Sequence, residues 1–276
     1  MKTLSNFVKR TLTGGIYMVA ILASMLNFIS FSILCYVLLL LTINEYAKML
    51  KQKGIVISER KMGLAAFPLI ATFIVCYSGS IEWLWLFVAL FITGLLVTFS
   101  LELFHKKNHQ MQNVAYSFFA YFYIALPFAC LIYLYSLSPL YTLALFTFVW
   151  THDTFSYLVG MKLGRTKLFE RVSPQKTWEG FFGGLVATIL AGVVFYYLAT
   201  DDIIRIAEPT YHLWKWMGMA VVVVVAGTFG DLFESLLKRS LEIKDSGTLL
   251  PGHGGLFDRL DSILFAAPAV MVYLLF

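Results

Sequence analysis

The chain has 276 residues, of which 59% are hydrophobic, 17% aromatic and only 13% charged. In soluble domains roughly a quarter of all residues are charged, so this chain would have too little polar surface for a water-soluble fold. An integral membrane protein is predicted instead. The formal net charge of +5 must be interpreted through the positions of the basic residues relative to membrane spans, and no nucleic-acid partner is expected.

Apolar stretches separated by polar or Gly/Pro-containing breaks predict about nine transmembrane helices, each near the length that a bilayer requires. Asn27 and Ser30 mark the break between the first two. The N-terminal apolar region is too long for a signal peptide, so the first helix is expected to be retained. The predicted spans are 11–26, 28–47, 63–79, 82–104, 113–135, 139–160, 178–199, 214–237 and 256–276.

The basic residues predict the orientation, because cytoplasmic loops hold the excess of Lys and Arg. With a cytoplasmic N-terminus, only Arg205 and Lys215 of the 21 basic residues fall on the outer side. The predicted fold is therefore an all-α polytopic membrane protein with its C-terminus outside. Within one continuous membrane unit, we separate N-terminal helices, 1–150, from C-terminal helices, 151–276, whose active site is expected at the cytoplasmic face.

An acid lies inside the sixth predicted span. Asp153 is followed at helical spacing by Ser156, Tyr157 and Gly160, and such a face is typical of the lining of a polar cavity. The alternative is a lone acid that bonds to a neighbouring helix.

The segment SPQKTWEG places Ser173 and Lys176 at the start of the next helix. Free backbone amides and the helix dipole favour a phosphate group there, and Lys176 adds a full positive charge. The same residues also suit an ordinary capped helix, with Thr177 or Ser173 as the cap and Trp178 as an interfacial anchor. Both interpretations can hold together.

Two acids, Asp231 and Glu234, follow the apolar run VVVVVAGTFG and lie one helical turn apart. A charge near the membrane centre costs about 3 kcal/mol or more unless it faces a cavity or a partner, so Asp231 is a candidate functional residue. For Glu234 the alternative is an ion pair with Lys238 along the same helix.

The stretch that follows mixes charges of both signs. This composition suits triphosphate chemistry, because cations stabilise phosphate oxygens while carboxylates hold a hard divalent ion. Asp258 and Asp261 can point side by side from the last helix, although they also suit its N-terminus, where they would pair with Arg259. The other charged residues of the stretch are Lys238, Arg239, Lys244 and Asp245.

The same stretch contains the segment PGHGG. Gly254 and Gly255 allow the backbone to come very close to a ligand, as glycine does in phosphate-binding loops. His253 suits either a hydrogen-bond donor to phosphate or an ordinary loop histidine.

These motifs resemble those of the phosphatidate cytidylyltransferases, also called CDP-diacylglycerol synthases. The C-terminal pattern of that family runs Ser, two residues, Lys-Arg, four residues, Lys-Asp, and ends in His-Gly-Gly, two residues, Asp-Arg, one residue, Asp. Every element falls at the family spacing in 235–261. The family also has segments similar to DTFSYLVG, SPQKTWEG and NEYAKML, the last of which contains Glu45. In this chain Ser156 replaces a more usual alanine, and Gln175 replaces a more usual lysine.

The resemblance implies that the protein transfers the cytidylyl group of CTP to phosphatidate, giving CDP-diacylglycerol and pyrophosphate for phospholipid biosynthesis. It also implies Mg²⁺, a second cation such as K⁺, contact with membrane lipid, and a multi-pass homodimer in a bacterial inner membrane. On this interpretation the metal ligands are Asp231, Asp258 and Asp261. The catalytic residues are Asp231, Asp245, Lys238, Arg239, Lys244 and Arg259, and the substrate-binding residues are Ser173, Lys176, Asp153, His253, Gly254 and Gly255.

Two other functions fit parts of this pattern. A CTP-dependent transferase acting on another lipid phosphate would differ only in its hydrophobic groove. A transporter would use the intramembrane Asp231 and Asp153 to carry ions or protons. The clustered loop cations and the glycine pair argue against transport.

Overall fold

The computed structural model of the protein describes residues 2–77, 84–104, 110–200, 212–247, 249 and 254–276. Within these ranges the chain is almost entirely helical. The helices are α1 (Lys2–Ser24), α2 (Phe28–Lys51), α3 (Glu59–Tyr77), α4 (Leu84–Leu103), α5 (Gln110–Ala120), α6 (Leu126–Leu137), α7 (Pro139–Leu163), α8 (Trp178–Thr200), α9 (Leu213–Ser240) and α10 (Phe257–Leu275). A π-helical turn, Tyr121–Ala125, joins α5 to α6, and two strands, β1 (Lys167–Phe169) and β2 (Ser173–Thr177), lie between α7 and α8.

Each predicted span coincides with a helix in the described part of the chain, with α5, the π-helical turn and α6 forming one continuous helix. The described helices that are long and apolar enough to cross a membrane are Phe28–Lys51, Gln110–Leu137, Trp178–Ala199 and Leu213–Ser240, and shorter apolar helices cover Leu12–Ser24, Met62–Ala71 and Trp85–Leu101. The chain is therefore an α-helical membrane protein. The number of crossings and the orientation remain predictions.

The chain divides into two compact units. The first unit contains Met1–Ser136 and Ser240–Leu260, and the second contains Leu137–Arg239 and Asp261–Phe276. By compactness the first boundary thus falls after Ser136, and the described residues between α9 and α10 group with the N-terminal helices. The functional division after residue 150 stays a prediction. The divisions fall at the end of α9 and inside the first turns of α10.

Polar and aromatic contacts at helix ends organise the first unit. The Asn27 side chain caps α2 by accepting a hydrogen bond of 2.8 Å from the backbone N–H of Ile29, which confirms the predicted break between the first two helices. The Tyr135 hydroxyl donates to the Met25 carbonyl at 2.6 Å. Its ring stacks on Phe31 with centroids 4.8 Å apart, so α6 packs against the α1–α2 connection.

Pro127 explains the position of the π-helical turn. A proline inside a helix removes one backbone donor and its ring crowds the preceding turn, and the extra residue of a π-helical turn is a common accommodation. The Leu126 N–H accordingly reaches back to the Tyr121 carbonyl.

The second unit is built on the close packing of α7 and α8. Ser138 caps α7 through the N–H of Leu140, and Pro139 occupies the first turn, where its missing N–H costs nothing. Small residues of α8 face α7: a Cβ added to Gly184 would lie 2.4 Å from the His152 ring, and one added to Gly183 would lie 2.6 Å from the Val159 side chain. Glycine at these positions lets the two helix backbones approach closely.

The described residues also include a short antiparallel hairpin of β1 and β2, which was not predicted from the sequence. Pro174 explains it, because the residue before a proline is driven into extended conformation. The Glu179 carboxylate accepts hydrogen bonds of 3.1 Å from the backbone N–H groups of Arg165 and Thr166 and so fixes the base of the hairpin.

Candidate active site

A cavity of about 720 Å³ lies within the second unit, lined by residues of α7, the hairpin, α8, α9 and α10. The α7 face predicted to line a polar cavity does so: Asp153, Ser156, Tyr157 and Gly160 all contribute. The cavity is large enough for a small organic ligand. Its polar residues come from α7, the hairpin, α9 and α10, and its acidic residues are Asp153 and Asp231.

Two glycines of α9 bring acidic side chains together. A Cβ on Gly230 would lie 2.4 Å from the Asp261 carbonyl oxygen, and one on Gly227 would lie 3.4 Å from Ser262 Cβ, so α9 and α10 approach closely on this face. As a result, one carboxylate oxygen from each of Asp231, Glu234 and Asp261 lies within 4.8 Å of the other two. We call these three residues the acid cluster.

The acid cluster has the chemistry of a cation site. Three carboxylates supply hard oxygen donors, the ligands that Mg²⁺ takes in proteins. Like charges held this close in a half-buried site repel one another unless a cation compensates them. The donor set therefore fits a hard divalent ion.

Two lysines meet the acid cluster. Lys176 Nζ lies 2.5 Å from Asp231 Oδ2, and Lys238 Nζ lies 2.8 Å from Glu234 Oε2. The ion pair that we considered as the alternative for Glu234 is thus present, and Glu234 belongs to the acid cluster at the same time. Its side chain is only 1% exposed.

Glu234 was not predicted as a ligand from the sequence, although its spacing of one helical turn from Asp231 was the available signal. His152 and Thr228 were also missed. Both are buried and line the cavity, and Thr228 Oγ1 lies 3.2 Å from His152 Nε2. The position of His152 directly before Asp153 was the signal for this pair.

The hairpin contributes its second strand to the cavity. Ser173 and Lys176 line it, as do Gln175 and Thr177. Thr177 also caps α8, with its hydroxyl 3.2 Å from the N–H of Gly180, which confirms the helix cap considered beside the phosphate interpretation. Lys176, one residue before this cap, is held by Asp231.

Four of the remaining predicted residues are described by the structure, and none of the four lines the cavity. Arg239, at the end of α9, is exposed and belongs to the second unit; Lys244, Asp245 and Arg259 are exposed and belong to the first. His253 lies outside the described residues.

Asp258, the third predicted metal ligand, is bonded to backbone in the first unit. Its Oδ2 accepts hydrogen bonds from the N–H groups of Gly255 at 2.9 Å and Ser246 at 3.2 Å. Gly254 has a φ of +84°, a conformation that glycine adopts readily. The assignments of Asp258, Gly254 and Gly255 to metal and substrate remain predictions.

The chain is similar to known proteins. The model of the cytidylyltransferase family matches residues 8–276. The phosphatidate cytidylyltransferase of Thermotoga maritima is 36% identical over 180 residues, which cover 65% of this chain and 65% of that protein. The proteins of the same name from Staphylococcus aureus and Staphylococcus epidermidis are each 32% identical over 179 residues, covering 65% of this chain and 66% of theirs.

The matched region thus spans just under two thirds of each of these relatives, whereas the family model extends over nearly the whole chain. The resemblance found in the sequence motifs is confirmed, and the chain belongs to the cytidylyltransferase family.

Proposed function

We propose that this protein transfers the cytidylyl group of CTP to phosphatidate and releases pyrophosphate. In this reaction a phosphate oxygen of phosphatidate attacks the α-phosphorus of CTP, the bond from that phosphorus to the bridging oxygen of the β-phosphate breaks, and CDP-diacylglycerol forms. The observation that carries the proposal is the acid cluster with Lys176 and Lys238, inside a family whose named relatives are phosphatidate cytidylyltransferases.

The residues of the candidate site suit this reaction because it needs little proton transfer. The lipid phosphate is already anionic at neutral pH, so the difficulty lies in bringing two polyanions together, and positioning and charge neutralisation solve it. Lys176, at the hairpin end, is placed to exchange its ion pair with Asp231 for a phosphate oxygen. Ser173, on the same strand, offers a hydroxyl to the same ligand.

We propose Mg²⁺ as the cofactor, held by Asp231, Glu234 and Asp261, with Asp258 as a further ligand on the basis of the family pattern. When bound, this ion would supply charge neutralisation at the phosphate oxygens of CTP. A second cation such as K⁺ is part of the proposal. Neutralisation of the phosphates is proposed for Lys238, Arg239, Lys244 and Arg259. A catalytic role is proposed for Asp245, and substrate binding is proposed for Asp153, His253, Gly254 and Gly255.

The proposed topology has nine membrane crossings with the N-terminus in the cytoplasm, the C-terminus outside and the site at the cytoplasmic face of a bacterial inner membrane. The lopsided distribution of Lys and Arg supports it. Cysteines placed at Glu170 and at Glu208, in a variant without the three native cysteines, test it. In intact cells an impermeant maleimide should label position 208 and leave position 170 unlabelled, and the reverse result would invert the topology. A homodimer is proposed from the resemblance.

Purified protein in detergent tests the activity. Pyrophosphate release from CTP should require both phosphatidate and Mg²⁺, and CDP-diacylglycerol should accumulate in equal amount. Release with a polyprenyl phosphate but none with phosphatidate would move the function to a transferase for another lipid phosphate. Absence of release, together with ion flux into proteoliposomes that Asp231→Asn abolishes, would make the protein a transporter.

A further inference from the structure

A carboxylate from α2 holds the loop between α9 and α10 in the first unit. Glu45 lies in the last turns of α2, and its side chain is only 5% exposed. Its Oε2 accepts a hydrogen bond of 2.8 Å from the N–H of Phe257, the first residue of α10. The Ser246 hydroxyl lies 3.5 Å from the same oxygen. Residues near both ends of the loop therefore contact one side chain.

Two glycines leave the space that this carboxylate fills. A Cβ on Gly247 would lie 2.1 Å from Glu45 Oε1, and one on Gly255 would lie 2.7 Å from the same oxygen. Real Cβ atoms do not approach so closely, so any other residue would displace the loop or the carboxylate. The sequence indicated that Gly255 allows close approach to a ligand, and the structure shows its close approach to a carboxylate of the protein itself.

Asp258 binds the same loop through other groups. Its Oδ2 accepts from the N–H groups of Ser246 and Gly255, the residues that also pack against Glu45. Two neighbouring carboxylates repel one another unless donors compensate them. Here three backbone N–H groups do so, and one of them, that of Phe257, lies at a helix N-terminus, where negative charge is favoured.

Aromatic packing fixes the start of α10 at this point. The Phe257 ring is fully buried and stacks on Tyr46, the neighbour of Glu45, with centroids 6.2 Å apart. Tyr123, in the π-helical turn, meets the same ring edge-on at 5.7 Å. Glu45 thus lies beside closely packed aromatic side chains, and its hydrogen bond to the Phe257 N–H marks the start of α10.

We propose that Glu45 is a positioning residue for the transferase reaction. By capping α10 and filling the space beside Gly247 and Gly255, it fixes the loop that carries Lys244 and Asp245 and orients the Asp258 carboxylate. The inference rests on the proposed function, in which Asp258 binds Mg²⁺. Glu45 itself contacts neither substrate nor metal in this proposal.

Substitution of Glu45 tests the positioning role through turnover and through the dependence of activity on Mg²⁺. Glu45→Gln keeps the side-chain shape and an acceptor for Phe257 but loses the charge, and we expect about 10-fold lower turnover; Glu45→Ala should lose about 100-fold. In Glu45→Gln, the Mg²⁺ concentration for half-maximal activity should rise several-fold while the KM for phosphatidate stays unchanged. A purely structural residue would not change the metal dependence of the folded protein.

A double-mutant cycle tests the contact with Gly247. Gly247→Ala alone should reduce turnover, because its methyl group meets the carboxylate. In the Glu45→Ala background that space is open, so the double variant should be about as active as Glu45→Ala alone. Gly15→Ala is the matched control, since a Cβ there meets nothing within 4 Å. Losses that simply add would overturn the proposed contact.

Trypsin cleavage after Lys244 reports the loop independently of activity, because cleavage requires local opening. Faster cleavage in Glu45→Ala than in wild type is expected. Wild-type turnover and wild-type metal dependence in both Glu45 variants would overturn the positioning role. If wild type instead releases no pyrophosphate while Glu45→Ala still opens the loop, the proposed function fails and the contact between Glu45 and the loop stands.

Discussion

The acid cluster of the second unit and two carboxylates of the first, Glu45 and Asp258, are held in different ways. In the second unit, Asp231, Glu234 and Asp261 face one another and two lysine side chains. In the first unit, Glu45 and Asp258 face backbone N–H groups. Backbone donors are fixed, whereas a lysine side chain can move away and leave its carboxylate to a divalent ion or a substrate. The acid cluster is thus suited to binding a cation, and the carboxylates of the loop are suited to holding backbone.

The largest expected effect comes from the acid cluster. Asp261→Asn should reduce pyrophosphate release by about 100- to 1,000-fold, because it removes a charged group proposed to bind Mg²⁺. The melting temperature in detergent should be close to that of wild type, because the change is isosteric. Near-normal turnover would remove Asp261 from the metal site.

Asp258→Asn tests the difference between the acid cluster and the carboxylates that bind the backbone of the loop. We expect a similar loss of turnover, since Asp258 is a proposed ligand, and also faster tryptic cleavage after Lys244, since it holds the backbone of the loop. Asp261→Asn should leave that cleavage rate unchanged. Equal cleavage rates in the two variants would contradict the distinction drawn here.

Lys176→Met tests the lysine beside Asp231. Turnover should fall by about 10- to 100-fold, because a cation proposed to bind a phosphate is lost. Lys162→Met, at the end of α7, is the matched control, since Lys162 is exposed and does not line the cavity. Equal activities of the two variants would show that Lys176 only pairs with Asp231.

Gly230→Ala tests how the acid cluster is assembled. The added methyl group meets the Asp261 carbonyl, so α9 and α10 must separate, at a cost of about 1–3 kcal/mol of stability. We expect a lower melting temperature and a raised Mg²⁺ requirement, with Gly15→Ala as the control. An unchanged Mg²⁺ requirement would show that close packing of α9 and α10 is dispensable for the cluster.

The smallest effect is expected at the surface of the first unit. Lys53 donates a hydrogen bond to Glu242, which lowers the pKa of that carboxylate. Any stabilisation from this pair is therefore present above the ordinary pKa of Glu242 and is lost as the pH falls through the lowered pKa. Glu242→Gln should change the melting temperature little at pH 7 and turnover not at all, because exposed ion pairs contribute little. A large loss of turnover would place Glu242 in the reaction.

Much of the fold could be predicted from apolar periodicity and length, because a bilayer imposes both on every crossing helix. The sequence also predicted the helix break at Asn27, the cap at Thr177 and the cavity-lining face of α7 around Asp153. These predictions were correct because caps and helix faces depend only on residues close together in the sequence. The hairpin was missed although Pro174 was visible, because strand pairing depends on a partner segment that periodicity does not identify.

The sequence by itself determined the membrane class, the family and the candidate site residues, because those follow from composition and from motifs of fixed spacing. Only the tertiary structure decided how the acids are grouped. It put Glu234 with Asp231 and Asp261, turned Asp258 towards backbone, and joined Glu45 to a loop about 200 residues away. Such groupings depend on how closely α9 approaches α10 at Gly230 and how closely the loop approaches Glu45 at Gly247 and Gly255. Close packing of this kind is a property of the folded chain.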